Sequence, residues 1–425
     1  MLKFNVFNNA LRSSAFRVRC SIFFCLFFFA LNVSAQLPPA GIWDGALHLN
    51  DSVRLPIELR LESGDDGWRL FIPNYGETFE AENVRVSKDS LSWRMPVFDT
   101  EFRTRVSGDS LSGVWINHSR KEKNVIPFKA VFPRDEMSEV TLSNYKPPLV
   151  KGRWRVVFSP GKKDSTETIA LFTSVPGEPL RGTFLTETGD YRYLGGKFNP
   201  KAQTFELYTF NGAQAFVFKG KVRGSTMTGE YWSGAHWYEK FTGARNDTFQ
   251  LRDPYKLTFA VDTVKHKVDF TFKDLEGKTV SLHDAKYKGK AVIIQLTGTW
   301  CPNCMDETAL LAELHKKYRA KGLEIIALAY EKTTDEAKAR ANVLRLKNRY
   351  DAEYDFLLTG KTGRDQASAS LPFLNGVMAF PTTIYIDRKG RIRKIYTGFN
   401  GPGTGAHYEQ LVSETVKLIE TLLAE

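Results

Sequence analysis

Residues 290–307, KAVIIQLTGTWCPNCMDE, carry a strand into a helix across a pair of cysteines. Ala291, Val292, Ile293, Ile294 and Leu296 form an apolar, β-branched run about one buried strand long. Thr297-Gly298-Thr299-Trp300 makes a short turn, and from 305 to 321 the apolar residues recur at helical spacing. Cys301 and Cys304 therefore stand at a helix start, close enough to close a small disulfide ring. Free backbone N–H groups and the helix dipole there favour a thiolate. Pro302 suits the first turn because it has no N–H to lose. The stretch reads as a redox site.

Working outward, 425 residues exceed one small domain and call for two to four. The formal charge of +11 falls to +7 without Lys3, Arg12, Arg17 and Arg19. The remaining basic residues are scattered among acidic ones, with no basic stripe or recognition motif, so nucleic acid is not expected as a partner. Basic residues up to Arg19, an apolar stretch of 11 residues at 21–31 and Val33-Ser34-Ala35 have the layout of a signal peptide. Residues 1–35 are read as that signal, cleaved after Ala35. The apolar stretch is short of the ~20 residues that span a bilayer, and bulky Phe24 argues against lipid attachment at Cys25. The mature chain is then exported and not membrane-spanning.

Cleavage removes Cys20 and Cys25 and leaves only Cys301 and Cys304. One CxxC cannot supply a disulfide framework, so the pair is there for exchange chemistry. A zinc site needs four ligands as a rule, and neither a second CxxC nor a nearby His pair exists; no metal is expected. A peroxidatic cysteine would follow a Thr or Ser by three residues, whereas Gly298 holds that position.

From 36 to about 250, Gly-Asp, Pro-Asn and Asn-Gly turn signals separate alternating strands such as 53–61, 67–72 and 111–116. GIWDG at 41–45 recurs as GRW at 152–154, an offset of 111, and GDSLSGVW at 108–115 echoes GSTMTGEYW at 224–232. About eight strands fit each copy. Two repeated antiparallel all-β modules of barrel or sandwich type are expected, at 36–140 and 150–250, joined through Tyr145-Lys146-Pro147-Pro148. The Gly-x-Trp opening loosely resembles lipocalin-like barrels, where the Trp packs across the closed end. Tyr231, Trp232, His236, Trp237 and Tyr238 either fill a core, the commoner role at strand spacing, or line a ligand mouth.

Residues 261–425 alternate strands and helices, an α/β pattern. Trp300-Cys301-Pro302-Asn303-Cys304 after a buried strand, with Phe380-Pro381-Thr382-Thr383 before a later one, resembles thioredoxin-fold proteins. The hairpin VDFTFKDLEGKTVSL at 268–282, the Asp387-Arg388-Lys389-Gly390-Arg391 turn and Glu307 resemble the exported TlpA/ResA-like thiol–disulfide oxidoreductases. That resemblance implies a thioredoxin-like fold in which Cys301 attacks a substrate disulfide and Cys304 resolves the mixed disulfide. Glu307, three residues after Cys304, is placed to exchange a proton with it. Pro381 is implied to be cis, and Trp300, Pro302, Phe380, Pro381 and Thr382 to form the substrate surface. No cofactor is needed beyond the redox-active disulfide. Protein thiols and disulfides are the implied partners, with a membrane thiol reductant of the DsbD/CcdA type as electron source and apocytochrome c as one substrate candidate. The implied compartment is the periplasm.

Two departures stand out. Pro-Asn occupies the place of thioredoxin's Gly-Pro, and Phe380 is bulkier than the residue usual before the proline. The loop GFNGPGTG at 398–405 lacks the GK[ST] of a phosphate cradle and reads as a flexible surface loop. An oxidase or isomerase would use the same residues as a reductase. A ligand-binding envelope protein with an accessory redox domain is the reading from another class.

Overall fold

The computed structural model describes residues 37–132, 149–261 and 268–425. The segment read as a signal, with Ala35, Cys20 and Cys25, and the 145–148 linker lie outside the described residues.

Nine strands make the first β sheet, one more than expected. Its first strand, Gly41–His48, lies between the second, Arg54–Gly64, and the last, Val125–Val131, all antiparallel. Strict alternation sets the faces: Leu55, Ile57, Leu59 and Leu61 point inward, while Arg54, Glu58 and Arg60 face solvent. The second sheet opens the same way. Gly152–Phe158 lies between Thr166–Thr173 and Trp237–Arg245. Pairing of Thr166–Thr173 with Leu180–Thr186 then closes eight of its strands into a ring. Both opening tryptophans are fully buried and donate back four residues, Trp43 Nε1 to Pro39 O at 3.0 Å and Trp154 Nε1 to Val150 O at 2.8 Å.

The ring interior is filled with aromatic side chains. Phe184 stacks on Phe218 at 4.6 Å, and Phe218 on Tyr231 at 4.5 Å. Tyr231 is thus core, whereas Trp237 and Tyr238 are about half exposed, at 50% and 48%. The five residues considered for a ligand mouth therefore do not converge on one opening. Strand alternation sends neighbours to opposite faces.

The two sheets are not independent. The turn between Thr204–Phe210 and Ala215–Arg223 enters the first sheet, where Phe210 meets Phe102 and Trp115 edge-on at 5.6 and 5.5 Å. Thr100 Oγ1 donates to Gly212 O at 2.6 Å and Asn117 Nδ2 to Ala213 O at 3.0 Å, so the turn's buried carbonyls are satisfied.

The C-terminal part is a seven-stranded α/β sheet. Its inner strand Ala291–Thr297 is buried at every residue. It runs parallel to Leu323–Ala329, which in turn pairs in parallel with Asp355–Leu358. Thr382–Ile386 pairs antiparallel on the other side and is followed by Ile392–Thr397. The hairpin of Thr271–Asp274 and Thr279–Ser281 completes the far edge. Helices α1 (Pro302–Tyr318), α2 (Glu336–Arg349), α3 (Gly363–Ser370) and α4 (Ala406–Ala424) cover this sheet. An uninterrupted apolar strand is what burial on both faces demands. Among the described residues no helix is long and apolar enough to cross a membrane.

Candidate active site

The redox pair sits between the end of strand Ala291–Thr297 and the start of α1. Cys301 is the N-cap of α1, with Pro302 in the first turn. Its Sγ accepts from Cys304 N at 3.2 Å, and the two cysteines are joined as a disulfide. Cys301 is 6% exposed and Cys304 0%, so Cys301 is the more accessible sulfur. A thiolate released at Cys301 would meet an N–H already aimed at it and the positive end of the helix dipole.

The turn before the pair is held from below. Thr299 N and Oγ1 donate to the buried Glu331 carboxylate at 2.8 and 2.7 Å, and Trp300 Nε1 donates to Tyr330 O at 2.9 Å. Lys332 Nζ lies 4.3 Å from the centre of the Trp300 ring. Opposite the pair, the Phe380–Pro381 peptide is cis, and Phe380 O lies 3.5 Å from Cys301 Sγ. The Phe380 ring packs on Trp300 and Tyr330 at 5.7 and 5.4 Å.

Thr382 and Pro302 are both buried. Thr382 is fully buried and its Oγ1 donates to Ala379 O at 2.8 Å, so the hydroxyl closes the turn around Pro381 and does not face solvent.

Glu307 lies one turn below Cys304, 4% exposed. Its carboxylate accepts from Gln295 Nε2 at 2.8 Å and from Thr383 Oγ1. Burial pushes Glu307 up to about 7 against the pull of those two donors. The folded chain therefore disfavours the ionised form. That cost is absent below 4.5, grows from there and is complete above about 7. Glu307→Gln is expected to raise the urea midpoint at about pH 8 and to leave it nearly unchanged at about pH 4. Equal midpoint changes at the two pH values would contradict this.

The second β sheet reaches the same site, which the cysteine motif gives no hint of. The segment between Leu180–Thr186 and Leu194–Asn199 carries Asp190 and Arg192 onto α1. Arg192, 3% exposed, grips Asp306 through Nε and Nη2, both at 2.8 Å, and reaches Glu77 of the first sheet at 2.8 Å. Asn303 Nδ2 donates to Asp190 Oδ2 at 3.1 Å.

The 398–405 loop is not a free surface loop, which corrects the expectation for it. Gly398 faces the Thr188 backbone and Gly403 the Arg192 backbone; a Cβ would stand 2.6 Å and 2.8 Å from them. Gly401 N donates to Asp190 Oδ2 at 2.5 Å. The glycines allow two backbones to lie in contact.

A strand, a helix capped by one of two linked cysteines, and a cis-proline turn facing the sulfurs define a thioredoxin-like redox domain. The family described as Redoxin matches residues 262–412. Thiol-disulfide oxidoreductase ResA of Halalkalibacterium halodurans is 30% identical over 153 residues, 36% of this chain and 74% of that protein. ResA of Geobacillus thermodenitrificans is 32% identical over 130 residues, 31% of this chain. The thioredoxin-like protein YneN of Bacillus subtilis is 32% identical over 130 residues, 31% of this chain and 68% of its own length. The chain belongs to the ResA family of thiol–disulfide oxidoreductases. It spans 66% of the Geobacillus protein, just under two thirds. These matches leave both β sheets uncovered.

Proposed function

We propose that the chain is an exported thiol–disulfide oxidoreductase that reduces disulfides of envelope proteins through the Cys301–Cys304 couple. The observation that carries this reading is the disulfide capping α1 with Phe380 O 3.5 Å from Cys301 Sγ. In the reduced chain the Cys301 thiolate attacks a substrate disulfide, and Cys304 resolves the mixed disulfide that forms. Glu307 takes the Cys304 proton, for which burial gives it a suitable proton affinity. Trp300 and Phe380 flank the substrate's extended chain, and the Phe380 backbone before Pro381 supplies its polar contact.

In the full reading, residues 1–35 are a signal cleaved after Ala35, and the mature chain works in the periplasm. A membrane thiol reductant of the DsbD/CcdA type returns electrons to the pair. Substrates are cysteine-containing envelope proteins, apocytochrome c among them, and no further cofactor takes part. The β sheets represent duplicated lipocalin-like modules at 36–140 and 150–250. Aromatic filling of the ring and its seat on α1 favour the oxidoreductase over a ligand carrier with an accessory redox domain.

Reduction of insulin disulfides with dithiothreitol as electron source tests the activity. The full chain is expected to accelerate precipitation at least about tenfold over dithiothreitol alone. An unchanged rate would remove the enzyme reading.

A further inference from the structure

Asn303 lies between the two cysteines, and its amide is held by a side chain from the second β sheet. Asn303 Nδ2 donates to Asp190 Oδ2 at 3.1 Å and to Phe399 O at 3.2 Å. The same Oδ2 accepts from Gly401 N at 2.5 Å, and Oδ1 accepts from Arg192 N. At Gly189 (φ 144°) an added Cβ would stand 3.2 Å from Asn303 Nδ2, so the turn approaches this closely only as glycine. Asp190 is 9% exposed. A carboxylate is thus buried one side chain away from the redox pair, on a part of the chain remote from it in sequence.

Its surroundings pull in two directions. Three N–H donors and the Arg192 guanidinium favour the ionised form. Burial and the Asp306 carboxylate on α1 oppose it, and Glu77 of the first sheet and Tyr193 also face this cluster. Burial wins, and Asp190 is pushed up to about 7.

We propose that Asp190 is a positioning residue of the redox couple: through Asn303 it fixes the start of α1, and by its charge it sets how readily the Cys301–Cys304 disulfide is reduced. This rests on the exchange chemistry proposed above. When a dithiol reduces the pair, its two sulfurs join while the Cys301–Cys304 bond breaks. Two electrons pass to the pair and two protons leave the donor thiols. One proton goes to Cys304. Cys301 stays a thiolate at the helix start, and the second proton goes to solvent, or to Asp190 in that fraction of chains where the new thiolate makes the carboxylate bind it. A carboxylate that remains ionised opposes the thiolate across Asn303, whereas a neutral one does not. Asp190 therefore makes reduction harder at alkaline pH than the helix start alone would.

The test is a glutathione redox titration of the full chain, read by mass after alkylation of free thiols, at about pH 6 and about pH 8. Native protein is compared with Asp190→Asn and with Asp190→Ser, a smaller neutral acceptor that serves if the first fails to fold. At about pH 8 the neutral variants are expected to shift the equilibrium towards the dithiol about tenfold, about 30 mV. At about pH 6, where native Asp190 is largely protonated, the shift should fall to about twofold or less. A native chain that titrates while both variants match it at the higher pH would overturn the role of Asp190. So would an equal shift at both pH values, which reports altered packing and not charge. A native chain inert towards glutathione would instead overturn the exchange chemistry itself.

Discussion

A Cys301→Ser chain is expected to lose thiol–disulfide exchange altogether, and a Cys304→Ser chain to stop halfway. Cys301 caps α1, accepts from Cys304 N and is the more exposed sulfur of the pair. A serine hydroxyl there keeps the cap but does not ionise near neutrality, so no nucleophile forms. Cys304 is fully buried behind it. Replacing it leaves the attacking thiolate in place but removes the sulfur that resolves the mixed disulfide. The two variants should therefore fail differently. Insulin reduction should fall to the dithiothreitol background in both, losing the whole acceleration of at least about tenfold. Only Cys304→Ser should accumulate a covalent adduct with a disulfide peptide, seen as a mass increase that dithiothreitol reverses. An adduct on Cys301→Ser instead would reverse the assigned roles.

Arg192→Ala is expected to cost about 3–5 kcal/mol of stability, the range for removing one partner from a buried ionic cluster. Arg192 is 3% exposed and joins three parts of the chain, Glu77 in the first sheet, its own strand connection in the second and Asp306 on α1. Without it, two carboxylates stay in a site that already pushes both upward by burial. The sign with pH follows. Both groups are ionised in the unfolded chain above their ordinary values of 4.5 and 3.8, so the penalty grows with pH and fades as those values are approached. Urea unfolding should show a large loss at about pH 8 and a smaller one at about pH 5. A loss under about 1 kcal/mol at the higher pH would mean that the cluster does not hold the sheets to the helix.

The redox domain was legible because its chemistry is local in sequence. An apolar run, a turn, two cysteines and the start of a helix occupy 18 consecutive residues. Glu307 was picked out by helical spacing together with the family resemblance, and Gly-x-Trp marked both sheet openings because each tryptophan bonds only four residues back. What escaped was long-range. Asp190 and Asn303 are 113 residues apart, and Arg192 and Asp306 are 114 apart. No periodicity links such pairs. The glycines at 398, 401 and 403 carried a signal that was misread: three glycines free a loop to move, but equally let another backbone press against it. Thr382 shows the opposite limit, since its motif position says nothing about which way its hydroxyl turns.

The most direct test of the central claim is the reduction potential of the Cys301–Cys304 pair in the full chain. It is measured against glutathione or dithiothreitol and followed by Trp300 fluorescence, with a Trp300→Phe control for the other tryptophans. A reductant fed from the membrane should give a value below about −250 mV. A value above about −150 mV would contradict that direction and make the chain an oxidase or isomerase.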